Sequence, residues 1–177
     1  MIIGLTGYAQ SGKDTVANIL VEKYGFRRLA FADKIRDILY ELNPMVGWEP
    51  LQIKVDVEGW DKAKQNPEIR RLLQKMGVAC REHISASVWI APVLRDINPG
   101  DNVVITDVRF KNEAELIYKG FEDSQIWRIE RPGIEAVNSH VSEHQLTSYP
   151  VDFTFINSGS LDDLELMIKT RMQGLFV

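Results

Sequence analysis

The sequence predicts an α/β chain, a parallel β-sheet covered on both faces by helices. Three observations carry this. The chain opens on an apolar run, Ile2 to Thr6, that leads through a glycine-rich loop, "GYAQSGKDT", into a segment with helical apolar spacing. Runs of strand character then alternate with helical stripes, the pattern of a parallel sheet with crossover helices. Finally, "NVVITD" is rich in β-branched residues before it ends in Asp107, the composition of a strand buried on both faces.

The elements follow in order. Val16, Ile19 and Leu20 mark a helix that starts at Lys13. Residues 26–31 read as a short second strand, and Ile35, Ile38, Leu39 and Leu42 as an amphipathic helix that Pro44 stops. Residues 43–66 carry Pro44, Gly47, Pro50 and Gly59 with Trp48 and Trp60, and read as an irregular or locally mobile insertion able to cover a site. Ile69, Leu72, Leu73, Met76 and Cys80 form another helical stripe, leaving Arg70, Arg71, Gln74 and Lys75 on other faces. A helix is expected over residues 86–97, with Pro92 near its start or at a kink. After the strand ending at Asp107 come a helix over 112–119, a strand "IWRIER" around Arg128, a helix over 139–146 and a last strand "FTFIN" around Phe155. Ser160 and Asp163 then open the final helix as S-x-x-[DE], with Leu161, Leu164, Ile168 and Met172 on its inner face.

With 177 residues the chain is long enough for one domain with a sizeable core, so residues 1–177 are read as a single domain. Hydrophobic residues at 45% and charged residues at 26% are globular values. A net charge of −4 argues against a protein that coats a nucleic acid polymer, which needs clustered Lys and Arg. The one cysteine, Cys80, offers no internal disulfide and no metal-ligand spacing, which fits a reducing cytoplasm, and buried packing is its expected role. No signal peptide and no run of membrane-spanning length is visible, so a soluble intracellular protein is expected.

The chemistry concentrates in a few stretches. Gly7, Gly12 and Lys13 match the phosphate-binding pattern G-x-x-x-x-G-K-[ST], in which backbone N–H groups cradle phosphates and the lysine reaches the β/γ-phosphates; Asp14 stands where the metal-binding hydroxyl belongs. The loop leaves a strand and opens a helix, where amides and the helix dipole favour phosphate. Asp107 has the place of a carboxylate facing phosphates across the sheet's carboxyl edge, and also that of a helix cap. In "DVRFKNE", Arg109 can clamp phosphate, while Asn112 adds polarity and Glu113 can simply favour a helix N-terminus. Arg70, Arg71 and Gln74 can grip an anionic substrate or form a solvated face. Trp89 can stack on a base or belong to the core. His140 and His144 in "HVSEH" lack a third ligand and read as a lid or surface helix rather than zinc ligands. Arg128 and Arg131 precede "PGIEAVNSH", a stretch suited to a lid whose arginine can neutralise a transferring phosphoryl group. Asn157, with Ser158 and Gly159, can border an adenine at the same sheet edge.

In this order "SGKDT", "RRLLQKMG", "VWI", "ITDVRFKNEAE", "IERPG", "SHVSE" and "FINSGSLDDL" make nearly the whole chain resemble a bacteriophage-type deoxynucleoside monophosphate kinase. The resemblance implies a three-layer P-loop kinase fold, with a five-stranded parallel sheet flanked by helices, a helical acceptor-binding segment at 43–98 and a lid-like segment at 132–150. It implies transfer of the ATP γ-phosphoryl to a deoxynucleoside monophosphate (dNMP) with Mg²⁺, on small-molecule substrates, in the cytoplasm (a host's, if phage-encoded). It is compatible with a homodimer. G-K-D-T occurs in that family too, so Asp14 becomes a subtype marker. By resemblance, Gln10, Ser11, Gly12, Lys13, Asp14, Thr15 and Asn157 bind ATP. Asp33, Lys34, Arg71, Gln74, Trp89, Asp107, Arg109 and Glu113 bind the dNMP; Asp14 and Asp107 serve the metal; and Lys13, Arg109 and Arg131 act in transfer. One departure is Val78 after Gly77, where relatives commonly carry threonine. A dephospho-CoA kinase or another small-molecule P-loop kinase shares "IIGLTG" and the loop but suits "DVRFKNEAE" less well; a non-catalytic nucleotide-binding regulatory protein is the alternative of another class.

Overall fold

The computed structural model describes residues 1–135 and 145–175. The chain divides into two compact units, one formed by Met1–Ala30 with Asp96–Val177, the other by Phe31–Arg95.

In the first unit the predicted five-stranded parallel sheet is present. β1 (Ile2–Thr6) lies at its centre, and the order is β2 (Arg27–Leu29), β5 (Val103–Ile105), β1, β6 (Ser124–Glu130), β7 (Phe153–Ile156), every pair parallel. Alternation along β1 sends Ile3 and Leu5 to one face, where they join Val16 and Leu20 of α1 (Lys13–Tyr24) and Leu164, Ile168 and Met172 of α7 (Leu161–Gln173) in a single buried cluster. Gly4 points the other way. A Cβ there would stand 2.6 Å from Ile126 Cδ1 and 3.3 Å from Ile117 Cδ1, so the bare position is what lets α6 (Lys111–Gly120) lie close on the second face. Both faces are thereby covered, as a parallel sheet requires.

The second unit holds α2 (Phe31–Leu42), a hairpin of β3 (Met45–Val46) and β4 (Glu49–Pro50), α3 (Leu51–Ala63), α4 (Pro67–His83) and α5 (Ile90–Arg95). Leu39, Val46, Leu51, Val55, Ala63 and Ile69 form its own buried cluster.

Several expectations are corrected. Residues 43–66 are not irregular: they make the hairpin and α3, because Leu51 and Val55 share a buried helical face, Ala63 is buried beyond the kink at Gly59, and Pro50 sits at the N-cap, where no amide hydrogen is needed. The helix expected over 86–97 is confined to Ile90–Arg95. Ser85 Oγ instead accepts from the Ser87 amide and draws the chain before it into a turn. Leu161 is 56% exposed, so the buried residues of the last helix are Leu164, Ile168 and Met172. Cys80 is half-buried rather than core. The second strand is shorter than expected, and Phe31 begins α2 as a buried residue. Most of the helix expected over 139–146, with His140 and His144, lies outside the described residues; Leu146, within them, is a buried turn residue. Among the described residues no helix is long and apolar enough to cross a membrane.

Candidate active site

The carboxyl ends of β1, β5 and β6 share one edge of the sheet, where ligands of open α/β sheets bind. The glycine loop leaves β1 there. Three positive-φ residues shape it: Gly7 (φ 137°), Gln10 (φ 65°) and Gly12 (φ 109°). Gly7 is also sterically required, since a Cβ there would meet the Ile129 carbonyl oxygen at 2.2 Å, while a Cβ on Gly12 would displace Asn157 Nδ2, 2.4 Å away. Lys13, first residue of α1, folds back across the loop: its Nζ donates to the Gly7 and Tyr8 carbonyls at 2.7 Å each. Ser11 is 1% exposed, and its Oγ has no hydrogen-bond partner among the described residues. A buried unpaired hydroxyl is costly, so its presence inside this loop points to a ligand with acceptor oxygens.

A cavity of about 480 Å³ adjoins the loop. Gly7, Tyr8 and Ser11 line it from β1's end, Arg109 from β5's end, and Arg131 with Ile134 from the segment after β6. The return limb of that segment, Leu146 and Thr147, closes another wall. Arg128 holds this limb in place: its Nη2 donates to the carbonyls of Leu146 (2.7 Å) and Tyr149 (2.6 Å). Of the residues the sequence singles out, Gly7, Ser11, Arg109, Arg128 and Arg131 thus line one cavity, with Lys13 closing the loop beside them.

The others have different settings. Asp14 is exposed in the first turn of α1 and pairs with Arg28 of β2 at 2.9 Å; Thr15 is half-buried behind it. Asp107 is half-buried in the turn after β5 and is not among the cavity's lining residues. Glu113 is 2% exposed, and its Oε2 accepts from the amides of Arg109 (2.6 Å) and Phe110 (3.0 Å), so its carboxylate closes the N-terminus of α6 and fixes the backbone that carries Arg109. Asn157 Nδ2 donates to the Ser11 carbonyl.

Asp33, Lys34, Arg71, Gln74 and Trp89 belong to the second unit. Asp33 pairs with Arg36 at 2.9 Å, and Lys34 is half-buried one residue on. On α4, Arg71 is exposed and 3.7 Å from Glu68, and Gln74 is half-buried. Trp89 is 2% exposed and donates from Nε1 to the Gly77 carbonyl at 3.0 Å, tying the turn before α5 to α4. Among the described residues no cluster of three or more His, Cys, Asp or Glu side chains is placed to hold a metal ion.

Arg28 and Arg128 emerge from the structure with roles the sequence did not announce. Arg28 meets Asp14 only because β2 returns beside the start of α1, a pairing with no local sequence pattern. Arg128 was legible as a strand-end arginine, but its carbonyl partners lie 18 and 21 residues on.

Comparison with known proteins gives the family. Residues 44–168 match the family model for deoxynucleotide monophosphate kinase. A protein of Acanthamoeba polyphaga mimivirus described as "Putative deoxynucleotide monophosphate kinase" is 28% identical over 186 residues, covering 92% of this chain and 91% of its own. Among solved structures, shikimate kinase from Aquifex aeolicus is 13% identical with a TM-score of 0.49, covering 98% of this chain and 97% of that one. An APS kinase of Mycobacterium tuberculosis is 13% identical with a TM-score of 0.44, covering 97% and 96%. The chain belongs to the deoxynucleotide monophosphate kinase family, and is a phosphotransferase acting on deoxynucleoside monophosphates.

Proposed function

We propose that the loop of residues 7–15 binds the phosphates of ATP and that the γ-phosphoryl passes to the phosphate oxygen of a dNMP in the adjoining cavity, yielding dNDP and ADP. The observation that carries this is the buried Ser11 hydroxyl, unpartnered among the described residues, inside a glycine loop that Lys13 closes. In the transfer an acceptor oxygen forms a bond to the γ-phosphorus as the bond to the ADP oxygen breaks. Little covalent chemistry falls to the protein, and the rate comes from alignment and charge neutralisation. Lys13 and the loop amides of Gln10, Ser11 and Gly12 hold the donor phosphates, Arg109 receives the acceptor phosphate, and Arg131 neutralises the transferring group. Glu113 acts by fixing Arg109's backbone.

Asp33, Lys34, Arg71, Gln74 and Trp89 are proposed to recognise the nucleoside, Arg71 and Gln74 by polar contact. Asp107 is proposed to stand near the acceptor phosphate or the metal. Asp14, Asp107 and the Thr15 hydroxyl are proposed to supply oxygen ligands to Mg²⁺, an ion usually held by one or two carboxylates together with phosphates and water. When bound, it supplies further neutralisation of the phosphate charge.

The test is Lys13→Ala in a direct assay of ADP and dNDP formation. Turnover should fall by roughly 10²–10³-fold, the scale of losing one preorganised donor to transition-state charge, with the circular-dichroism spectrum of the folded chain retained. Near-normal transfer overturns the assignment. A panel of the four dNMPs, their ribonucleotide counterparts and dephospho-CoA identifies the acceptor class.

A further inference from the structure

The phosphate loop is held from behind by a residue 146 positions away from it in the chain. Asn157 follows β7, and two bonds fasten it. Its backbone amide donates at 2.7 Å to the carbonyl of Glu130, the last residue of β6, which ties Asn157 to the sheet. Its side-chain Nδ2 donates at 2.9 Å to the Ser11 carbonyl, which ties the loop to Asn157. The approach is close: a Cβ at position 12 would stand 2.4 Å from Nδ2 and would push the Asn157 side chain off the Ser11 carbonyl. Gly12 therefore serves the Asn157 contact as well as its own φ of 109°. Asn157 is not among the residues lining the cavity beside the loop.

A trans peptide is planar, with its C=O and N–H on opposite sides. Drawing the Ser11 carbonyl toward Asn157 therefore turns the Gly12 N–H the other way, and a phosphate loop works by the direction of such amides. We infer that Asn157 is a positioning residue: by holding the Ser11 carbonyl, its side-chain amide sets the aim of the Gly12 N–H at the phosphates of the nucleotide. This rests on the proposed binding of ATP phosphates by the loop, and it assigns Asn157 to the phosphate end of the nucleotide rather than to the adenine.

Asn157→Asp keeps the shape and replaces the donor with an acceptor facing a carbonyl, and Asn157→Ala removes the group. Binding of ATP and of inorganic tripolyphosphate, which has no base, is measured on the full chain alongside KM for each substrate. Both ligands should weaken by a similar factor, roughly ten-fold or more for N157D, since a mispaired polar group costs that much. KM for ATP should rise with KM for the acceptor unchanged. Acidification should narrow the gap between N157D and wild type, because a protonated carboxyl regains a donor, and should not narrow it for N157A. Weakened ATP binding with unchanged tripolyphosphate binding overturns the inference in favour of a base contact. Equal rises in both KM values with a lowered melt overturn it in favour of general scaffolding, and unchanged binding overturns it outright. Lys13→Ala separates the two levels: if it retains tripolyphosphate binding the phosphate-loop reading itself fails, whereas its loss of binding beside an unaffected N157D sinks the Asn157 role alone.

Discussion

At the scale of single residues, Asp14 and Glu113 are both carboxylates in the first turn of a helix, where negative charge is favoured. Their surroundings separate them. Asp14 is exposed and paired with Arg28, a contact that adds little to stability because water screens it. Asp14→Ser should therefore leave the melting temperature nearly unchanged while raising the Mg²⁺ concentration needed for half-maximal transfer; an unaltered Mg²⁺ titration would reduce Asp14 to a helix-end charge. Glu113 is buried and holds two amides. Glu113→Ala leaves those donors without their carboxylate, and urea unfolding should report a loss of about 1–3 kcal/mol. KM for the dNMP should rise with it, as Arg109 loses its fixed backbone.

At the scale of elements, α3 and α7 show how local chemistry sets where a helix bends or begins. Gly59 interrupts α3 with φ 73° and ψ 160°, a region essentially closed to other residues, although nothing lies within 4 Å of a built Cβ. The penalty of Gly59→Ala is thus backbone strain alone, and equilibrium unfolding should show a loss of about 1–3 kcal/mol. In α7, Ser160 and Asp163 form a capping box. The side-chain bond from Ser160, then its backbone amide, holds the Asp163 carboxyl below its ordinary value. A depressed carboxyl stabilises the fold above its unfolded pKa and loses that contribution as pH falls through the folded one. Amide exchange in the first turn of α7 should accordingly quicken on acidification below the usual carboxylate range, and Ser160→Ala should flatten that dependence.

At the scale of the molecule, each unit has its own core. In the first, Phe155 is fully buried between Trp127 (ring centroids 5.2 Å apart) and Phe153 (4.7 Å), at the strand that leads to Asn157. Phe155→Ala should cost about 3–5 kcal/mol in denaturant unfolding, the range for truncating a buried aromatic ring. In the second, Leu51 and Ile69 join α3 and α4 in one cluster, within and after the Pro- and Gly-bearing stretch at 43–66.

That stretch marks where reading the sequence failed. Breakers counted by position suggested an irregular or locally mobile segment, yet Pro44, Gly47 and Pro50 fall at element ends, and the buried residues Leu51, Val55 and Ala63 outweigh them. Apolar period and loop chemistry are local properties, so the sequence alone determined the five parallel strands, most flanking helices, the phosphate loop and the capping of α7. Which polar groups meet depends on chain returns of tens to more than a hundred residues, and no local pattern encodes them. Tertiary structure decided that Arg28 pairs with Asp14, that Glu113 serves Arg109's backbone, that Arg128 holds the limb at Leu146, and that Asn157 takes the carbonyl of Ser11.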